Sequence, residues 1–524
     1  EQLSISPQGY LSRRNSKLFA PTGRDPAGAF LSRLNRRGKP TPLPAKSIPE
    51  KYPYAFVGAG LIRFAGGDGE VAVFREDGSL DQTLAVTGKA YGLAVIRGKL
   101  LVSTDAGVIH CFSTGAGKAI HREPAPLKNF PTNESLARTA LAATQATQGY
   151  CLVVGAKHAS LAAGIAQLSG MRAVVSEKNP AIVDQLRRTL AAAGLYGKEV
   201  VVHLNDGKGA LPYGDHLFNL LLDPDTALAP AETLRLLRPV DGKGLVGSSL
   251  GKSLSKPAIE GGGEWSHLYA EPGNTACSKD QKVGADLNLQ WFGRPGPERL
   301  LDRHHRSVSP LWKNGFLYIP GNERIFGVDA YNGTVLWETE IPESRRIAIM
   351  RDCGSMAADN GFIYVASGKQ CLGLAARTGK ADRRFTIPDK AFAASHEWGY
   401  VARLDDLLIG SAVKDGAIRR VYGHEGIQQT YWDNRPPVCS DMLFAIEAAT
   451  GKPRWTYRPN GGGALVNSSI AIKAGQVHLV ESEANTDSGH VPYDKVLDEK
   501  GGSLVTLDLK SGKVLKRIAL EKKK

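Results

Sequence analysis

Apolar and polar residues alternate in short runs over most of the chain, and each run closes in a polar, glycine-containing turn before a second run begins. A period of two bounded by such turns predicts half-buried strands joined as hairpins. Six copies align on the turn: VAVFREDGSLDQTL from Val71, VIHCFSTGAGKAI from Val108, IFGVDAYNGTVLWETEI from Ile325, CLGLAARTGKADRRF from Cys371, LFAIEAATGKPRWTY from Leu443 and LVTLDLKSGKVLKRI from Leu504. Gly78, Gly117, Gly333, Gly379, Gly451 and Gly512 stand where the turn needs positive φ. Trp337 and Trp455 hold equivalent places after the turn glycine, which predicts packing between repeats. Ahead of most copies lies another pair of strands, at 91–104, 309–321, 354–368 and 467–482. Two hairpins per unit, repeating every ~40–60 residues, predict the four-stranded blades of a β-propeller.

From about 130 to 250 the period changes. CLVV (151–154), RAVVS (172–176), VVVHL (200–204), LFNLLL (217–222) and GLVGS (244–248) read as strands. Between them run stripes of helical spacing: Leu161, Ala162, Ile165 and Leu168, then Ile182, Leu186 and Leu190 behind an Asn179-Pro180 cap. Strand and helix in alternation predict a parallel sheet covered on both faces. The expected fold is multidomain: an all-β propeller of about seven blades, within six to eight, carrying an inserted α/β doubly wound, Rossmann-like domain. The boundaries read as a basic N-terminal extension (1–50), N-terminal blades (51–124), the insertion (125–255), C-terminal blades (256–520) and a basic tail (521–524). Blades from both flanks of the insertion are expected to share one ring.

With 524 residues, 42% apolar and 23% charged, the composition is that of a globular protein and excludes a wholly disordered or collagen-like chain. No apolar run reaches the roughly 18 residues of a membrane-spanning helix. The net charge of +14 is partly gathered in residues 1–50, but no interleaving of aromatic and basic residues points to nucleic acid. The six cysteines form no C-x-x-C pair, which argues against zinc ribbons, thioredoxin-type chemistry and covalently attached c-type haem. A basic-then-apolar leader is not seen at the start, so the reading is either a cytoplasmic chain or the mature form of an exported one.

Over about 110 residues the insertion resembles the class I S-adenosylmethionine-dependent methyltransferase fold. In that family the first strand ends in a G-x-G-x-G loop beside the cofactor. Here the run is Gly155-Ala156-Lys157-His158-Ala159, with Lys157 and Ala159 replacing two glycines. The resemblance makes Glu177 the acidic residue for the ribose hydroxyls, and Asn205-Asp206 the place of the acidic contact to adenine. LRLLRPVDGKG (234–244) is similar to the family's late L-R-P-G-G turn, and Asp223-Pro224-Asp225 stands where an N-P-P-Y catalytic motif is expected. The implied cofactor site is Gly155, Glu177 and Asp206, with the Lys157 stem expected to obstruct S-adenosylmethionine.

The flanks, over roughly 55–520, resemble the quinoprotein-type propellers, the repeat family of pyrroloquinoline quinone (PQQ) dehydrogenases and of non-enzymatic outer-membrane assembly lipoproteins. Trp265, Asn274, Thr275 and Ser278 are similar to the W-x-D-x-x-N-T-x-x-S opening, and AIEAATGKPRW (445–455) and GVDAYNGTVLW (327–337) approach the A-x-D-x-x-T-G-K-x-x-W repeat. The whole arrangement resembles planctomycete proteins with PQQ-binding-like repeats. That resemblance implies a periplasmic or secreted setting, with a cytoplasmic one as the alternative. A PQQ dehydrogenase would bring an adjacent Cys-Cys pair, a Ca²⁺ site and an Asp base. No cysteines adjoin here, and Asp405-Asp406 and Glu481 fit no recognisable ligand pattern, so PQQ is not expected.

The densest polar cluster is Arg303, His304, His305 and Arg306, joined by Arg345-Arg346, Arg351-Asp352 and His396-Glu397-Trp398 ahead of inner strands of later blades. Convergence at one mouth of the propeller would make a cationic funnel for carboxylate, phosphate or sulfated sugar. The candidate ligand-binding set is Arg303, His304, His305, Arg306, Arg346, Arg351, His396 and Trp398. The competing reading pairs each Arg with a neighbouring carboxylate such as Asp302 or Asp352. Tyr431 and Trp432, in a long segment within a blade, suit stacking or packing on the propeller face. No catalytic or metal-ligating residue is assigned. The expected function is a non-catalytic binding or scaffold propeller that meets a protein partner or an anionic glycan. The alternatives are a methyltransferase whose acceptor the propeller presents, and a PQQ-dependent oxidoreductase.

Overall fold

The computed structural model describes residues 51–115, 126–296, 299, 308–346, 352, 354–418, 436–484, 487–491 and 501–520, with the backbone alone of four strands between 12 and 42. Arg303, His304, His305, Arg306, Arg351, Gly117, Tyr431, Trp432 and the tail 521–524 lie outside the described residues. The chain divides into two compact units, Glu1–Pro124 and Ala125–Lys524. Among the described residues, no helix is long and apolar enough to cross a membrane.

In the first unit, Ser12–Arg14, Lys17–Asp25, Gly28–Leu34 and Pro40–Pro42 form an antiparallel sheet, where the sequence pattern gives only a basic extension. Residues 55–113 form a six-stranded sheet through which the 17-residue strand Leu80–Ile96 runs unbroken, pairing with Asp68–Phe74 at one end and Lys99–Thr104 at the other. One core gathers Tyr52, Phe56 and Phe74, and a second Val71, Leu93 and Val102. These strands therefore pack around cores of their own within the first unit.

In the second unit the insertion is a six-stranded sheet in the order Val200–Leu204, Gly170–Glu177, Gln148–Val154, Leu220–Asp223, Lys243–Val246, Lys252–Ser255. All neighbours are parallel except the last pair. Helices Ala159–Leu168 and Pro180–Ala192 cover one face, and Asn179 caps the second helix through the amides of Ala181 and Ile182, as its Asn-Pro sequence predicts. Leu211, Phe218, Leu236 and Leu237 fill the other face.

Among the described residues, four four-stranded blades follow, at 311–340, 356–386, 396–457 and 471–520. The short strand Ala464–Val466 joins the last two into one continuous sheet. The turn glycines Gly333, Gly379, Gly451 and Gly512 have φ between +67° and +74°, as predicted. Gly379, Gly451 and Gly512 are each met by a side chain of the preceding blade, and Gly333 by Trp291. Trp337 Nε1 donates to Ala376 O and Trp455 Nε1 to Leu509 O, both at 2.8 Å, with the indoles over Gly379 and Gly512. Between the second and third blades Arg383 takes the same place, donating to Ala448 O at 3.0 Å, and Trp291 does so ahead of the first blade, on Ala330 O. Packing between repeats is therefore the role of these tryptophans.

The insertion is welded to the first blade. Arg238, 2% exposed, donates from Nε to Asp329 Oδ2 at 2.7 Å and from Nη2 to Gly315 O at 2.9 Å, and pairs with Asp241. Its guanidinium lies over Phe316 and Tyr331. Asn219 Nδ2 adds a bond to Asp329 Oδ2, and Asn332 Nδ2 reaches Asn219 Oδ1 and Leu217 O. Arg238 belongs to the methyltransferase-like L-R-P turn and Asp329 to the propeller repeat, so motifs of two folds meet in one buried network.

Candidate functional site

The order of the parallel sheet reverses between Gln148–Val154 and Leu220–Asp223: from the first, the chain winds outward to one edge, and from the second to the other. Loops diverging at such a point open a crevice outside the carboxyl ends of the strands. A cleft of about 740 Å³ lies there, lined by the Gly155 loop, Glu177, Ile182, Asn205, Asp225 and Leu228 among others.

Gly155 has φ +90° and ψ 127°, which only glycine holds without strain. A Cβ built there would find its nearest neighbours, His158 Cδ2 and Asp225 Oδ2, at 3.6 and 3.7 Å. Glycine is needed at this position for conformation rather than for space within the protein itself.

Glu177 ends its strand with both carboxylate oxygens engaged. Oε2 accepts from Ala156 N at 3.0 Å, and Oε1 from Lys178 N and Asn179 N at 2.8 and 2.9 Å. Burial works to raise its pKa, but the amides of Ala156, Asn179 and Lys178 outweigh it and hold the carboxyl below its ordinary value. Asn205, rather than Asp206, lines the cleft. Its side chain donates to Ser176 Oγ at 2.8 Å, while Asp206 accepts from the amide of Lys208 within its own turn. Both residues lie in the loop that follows the strand Val200–Leu204.

Lys157 lines the cleft; its ammonium stands 2.9 Å from Asp225 Oδ1, and His158 Nε2 lies 3.0 Å from Asp225 Oδ2. The hydrogen bond from Lys157 holds the Asp225 carboxyl below its ordinary pKa, with His158 helping. Asp223, wholly buried, accepts from Ala227 N and Leu228 N at 2.9 and 2.8 Å and so fixes the turn that carries Asp225. Thr226 in that turn sits at φ +56°, an uncommon conformation for a β-branched residue.

At the blades, Trp398 is a core residue and not a ligand contact. It is fully buried, packs edge-on against Phe444 with centroids 4.9 Å apart, and donates to Tyr400 O. Residues 396–402 are all buried because this strand is covered on both faces, a situation that alternation alone does not reveal. Arg346, 1% exposed, donates to Asp352 Oδ1 at 3.2 Å and to Trp398 O at 2.6 Å, a tie between blades in place of a funnel wall. His396 Nε2 lies 3.0 Å from Asp441 Oδ2, its Nδ1 lies 2.9 Å from Ser395 Oγ, and Lys414 shares Asp441. Cys151, Cys371 and Cys439 are buried, and burial pushes their thiols up, away from thiolate chemistry. Among the described residues, no three His, Cys, Asp or Glu side chains are placed to hold a metal ion.

The family model for the outer membrane protein assembly factor BamB matches residues 236–422. No curated protein matches the chain. Among solved structures, BamB of Moraxella catarrhalis aligns over 99% of this chain and 91% of its own at 10% identity, with a TM-score of 0.24. The WD40 domain of Neurospora crassa Pan2 aligns over 40% of this chain and 51% of its own at 8% identity, TM-score 0.25. A Methanococcus maripaludis protein described as an S-adenosylmethionine-dependent methyltransferase aligns over 21% of this chain and 53% of its own at 18% identity, TM-score 0.20. The chain spans about half the length of the methyltransferase structures that it matches. It resembles the PQQ-type propellers in its blades and the methyltransferases in its insertion.

Proposed function

We propose that this chain is a non-catalytic scaffold propeller whose methyltransferase-like insertion is a binding module rather than a methyl-transfer catalyst. One observation carries the reading: the carboxylates at the cleft are engaged by the chain's own groups, Glu177 by three backbone amides and Asp225 by Lys157 and His158. The weld through Arg238 and Asp329 supports it, because it makes the insertion part of the body that carries the blades. By its BamB-type match the propeller would bind a protein partner, or an anionic glycan at its mouth, in a periplasmic or secreted setting.

Calorimetry of the full chain with S-adenosylmethionine tests this reading, together with a radiolabelled methyl-transfer assay on protein and glycan acceptors. Neither binding in the micromolar range nor label transfer is expected. Micromolar binding with turnover would overturn it in favour of the second reading, a methyltransferase whose acceptor the propeller presents. That second reading draws on the open cleft of about 740 Å³.

A further inference from the structure

One blade tie departs from the others, and a cavity opens beside it. Trp291, Trp337 and Trp455 each close a joint with an indole, but between the second and third blades the residue is Arg383. A Cβ built on Gly333, Gly379 or Gly512 would run into one of those indoles, whereas on Gly451 nothing lies closer than Phe385 Cδ1 at 3.5 Å. At this joint a second cleft, of about 820 Å³, is lined by Arg383, Arg403, Asp359, Phe362, Asp405 and Ala448 among others. Its size lies within the ~300–1,000 Å³ range of ligand sites.

The walls hold two arginines with unused donors. The Arg383 guanidinium lies 3.9 Å from the centre of the Phe362 ring and donates from Nη1 alone, to Tyr364 Oη at 3.2 Å and to Ala448 O. Arg403, its side chain 15% exposed, donates from Nε to Asp359 Oδ2 at 3.0 Å and from Nη1 to Asp405 O and Leu407 O. Among the described residues, nothing accepts from Nε or Nη2 of Arg383 or from Nη2 of Arg403. Asp359 does not supply that acceptor: Oδ1 already takes the amides of Gly361 and Phe362, and Oδ2 takes Tyr364 Oη and Arg403 Nε, which fills its capacity. A guanidinium held flat on a ring presents its N–H edge, the shape that a carboxylate matches with two parallel bonds. Asp405 and Asp406, exposed at the same cleft, set an upper limit on the charge it admits. They repel a densely charged ligand such as a sulfated sugar more than a single carboxylate. Pro272, Leu404 and Ala449 give an apolar wall for the remainder of a ligand.

We propose that this cleft is a peptide-binding site that takes one glutamate or aspartate side chain of a partner protein onto the free N–H edges of Arg383 and Arg403. The proposal rests on the reading of the propeller as a scaffold, and between the two ligands that reading allows it selects the protein over the anionic glycan. The departure from tryptophan at this one joint is then what makes room for the ligand.

Ligand-observed NMR of the full chain tests this with three probes: the end-blocked peptide Gly-Ala-Glu-Ala-Gly, its glutamine counterpart and a heparin tetrasaccharide. The glutamate peptide is expected to bind about tenfold more tightly than the glutamine one, the scale of a hydrogen bond to a charged group, and more tightly than the heparin fragment. Arg383→Trp, which restores the residue of the other joints, is expected to abolish the difference between the peptides with an unfolding midpoint no lower than that of wild type. Asp405→Asn, at a φ of +45° that asparagine tolerates, is expected to strengthen binding of the glutamate peptide several-fold and leave the glutamine peptide unchanged. Equal peptide affinities in the wild type, tighter binding of heparin, or the preference for glutamate retained in a folded Arg383→Trp would overturn the proposal. If thermal unfolding shows that Arg383→Trp has not folded, Asp405→Asn decides, and an unchanged affinity for the glutamate peptide there overturns it. The two readings fail separately: methyl transfer from S-adenosylmethionine would sink the scaffold reading, and equal peptide affinities would sink only this one.

Discussion

Arg238 Nε and Asp329 Oδ2 lie 2.7 Å apart with both side chains 2% exposed, the guanidinium from the insertion and the carboxylate from the first C-terminal blade. The contact is fully hydrogen-bonded: Asp329 also accepts from Asn219 and from the amide of Tyr331, and Arg238 from its other nitrogens reaches Gly315 O, Pro239 O and Asp241. Breaking such a pair costs more than never having had it, because the abandoned charge stays buried.

Arg238→Ala should therefore destabilise the protein by about 3–5 kcal/mol, the range for removing one partner of a buried pair. Arg238→Met combined with Asp329→Leu should recover a large part of that loss, since apolar groups of similar volume leave no stranded charge. Urea unfolding of the single and double variants measures both. A double variant as unstable as the single one would show that shape, not charge, holds the weld.

The blade ties give a graded comparison. A Cβ on Gly379 would run into the Trp337 ring, whereas on Gly451 its nearest neighbour is Phe385 Cδ1 at 3.5 Å. Both glycines have positive φ, +67° and +74°. Gly451→Ala should cost only the conformational penalty, about 1 kcal/mol, and Gly379→Ala clearly more because the indole must shift and its bond to Ala376 O is put at risk. Equal losses in denaturant unfolding would mean that the tryptophan yields freely.

The repeat was legible because turn glycines and a following tryptophan recur at fixed spacing, and backbone geometry enforces both. The insertion was legible because its period shifts from two to that of a helix. Pairings between distant segments were not. Nothing in LRLLRPVDGKG marks Arg238 as the residue that leaves its own fold, and nothing in GVDAYNG marks Asp329 as its acceptor. Arg346 and Trp398 drew attention as polar and aromatic residues near a loop, but the structure buries them against each other. Composition does not separate a rim from a tie between blades. The strands between 12 and 42 went unread because Arg, Pro and Gly interrupt their alternation.

At the cleft, Gly155→Ala separates conformation from space. With φ +90° and no atom closer than 3.6 Å to a new Cβ, the cost is backbone strain, about 1–3 kcal/mol. Lys157→Gly removes only an exposed side chain and should stay within about 0.5 kcal/mol of wild type. Thermal unfolding of the two variants checks the contrast. A Lys157→Gly loss as large as that of Gly155→Ala would make the ion pair to Asp225 a structural element.

Acid should weaken the propeller through His267. This residue is 5% exposed; Nε2 accepts from Arg403 N at 3.0 Å and Nδ1 lies 2.8 Å from Ser266 Oγ. A backbone amide can only donate, so the ring is neutral with its proton on Nδ1. Burial, assisted by the charge of Lys313, lowers its pKa from 6.5 to about 3. Below pH 6.5 the unfolded chain takes up a proton that the folded one refuses, so stability rises with pH across this window. The contribution is complete above pH 6.5 and is lost progressively down to about pH 3. At one proton, the slope is about 1.4 kcal/mol per pH unit, so about 2 kcal/mol should disappear between pH 7 and pH 5. His267→Gln, which keeps polar atoms but cannot titrate, should lose that part of the acid sensitivity while being less stable at neutral pH. The measurement is urea unfolding at pH 7 and pH 5 for both proteins. An identical pH 7 to pH 5 difference in wild type and variant would show that His267 is protonated in the folded state, or that its surroundings open as the pH falls.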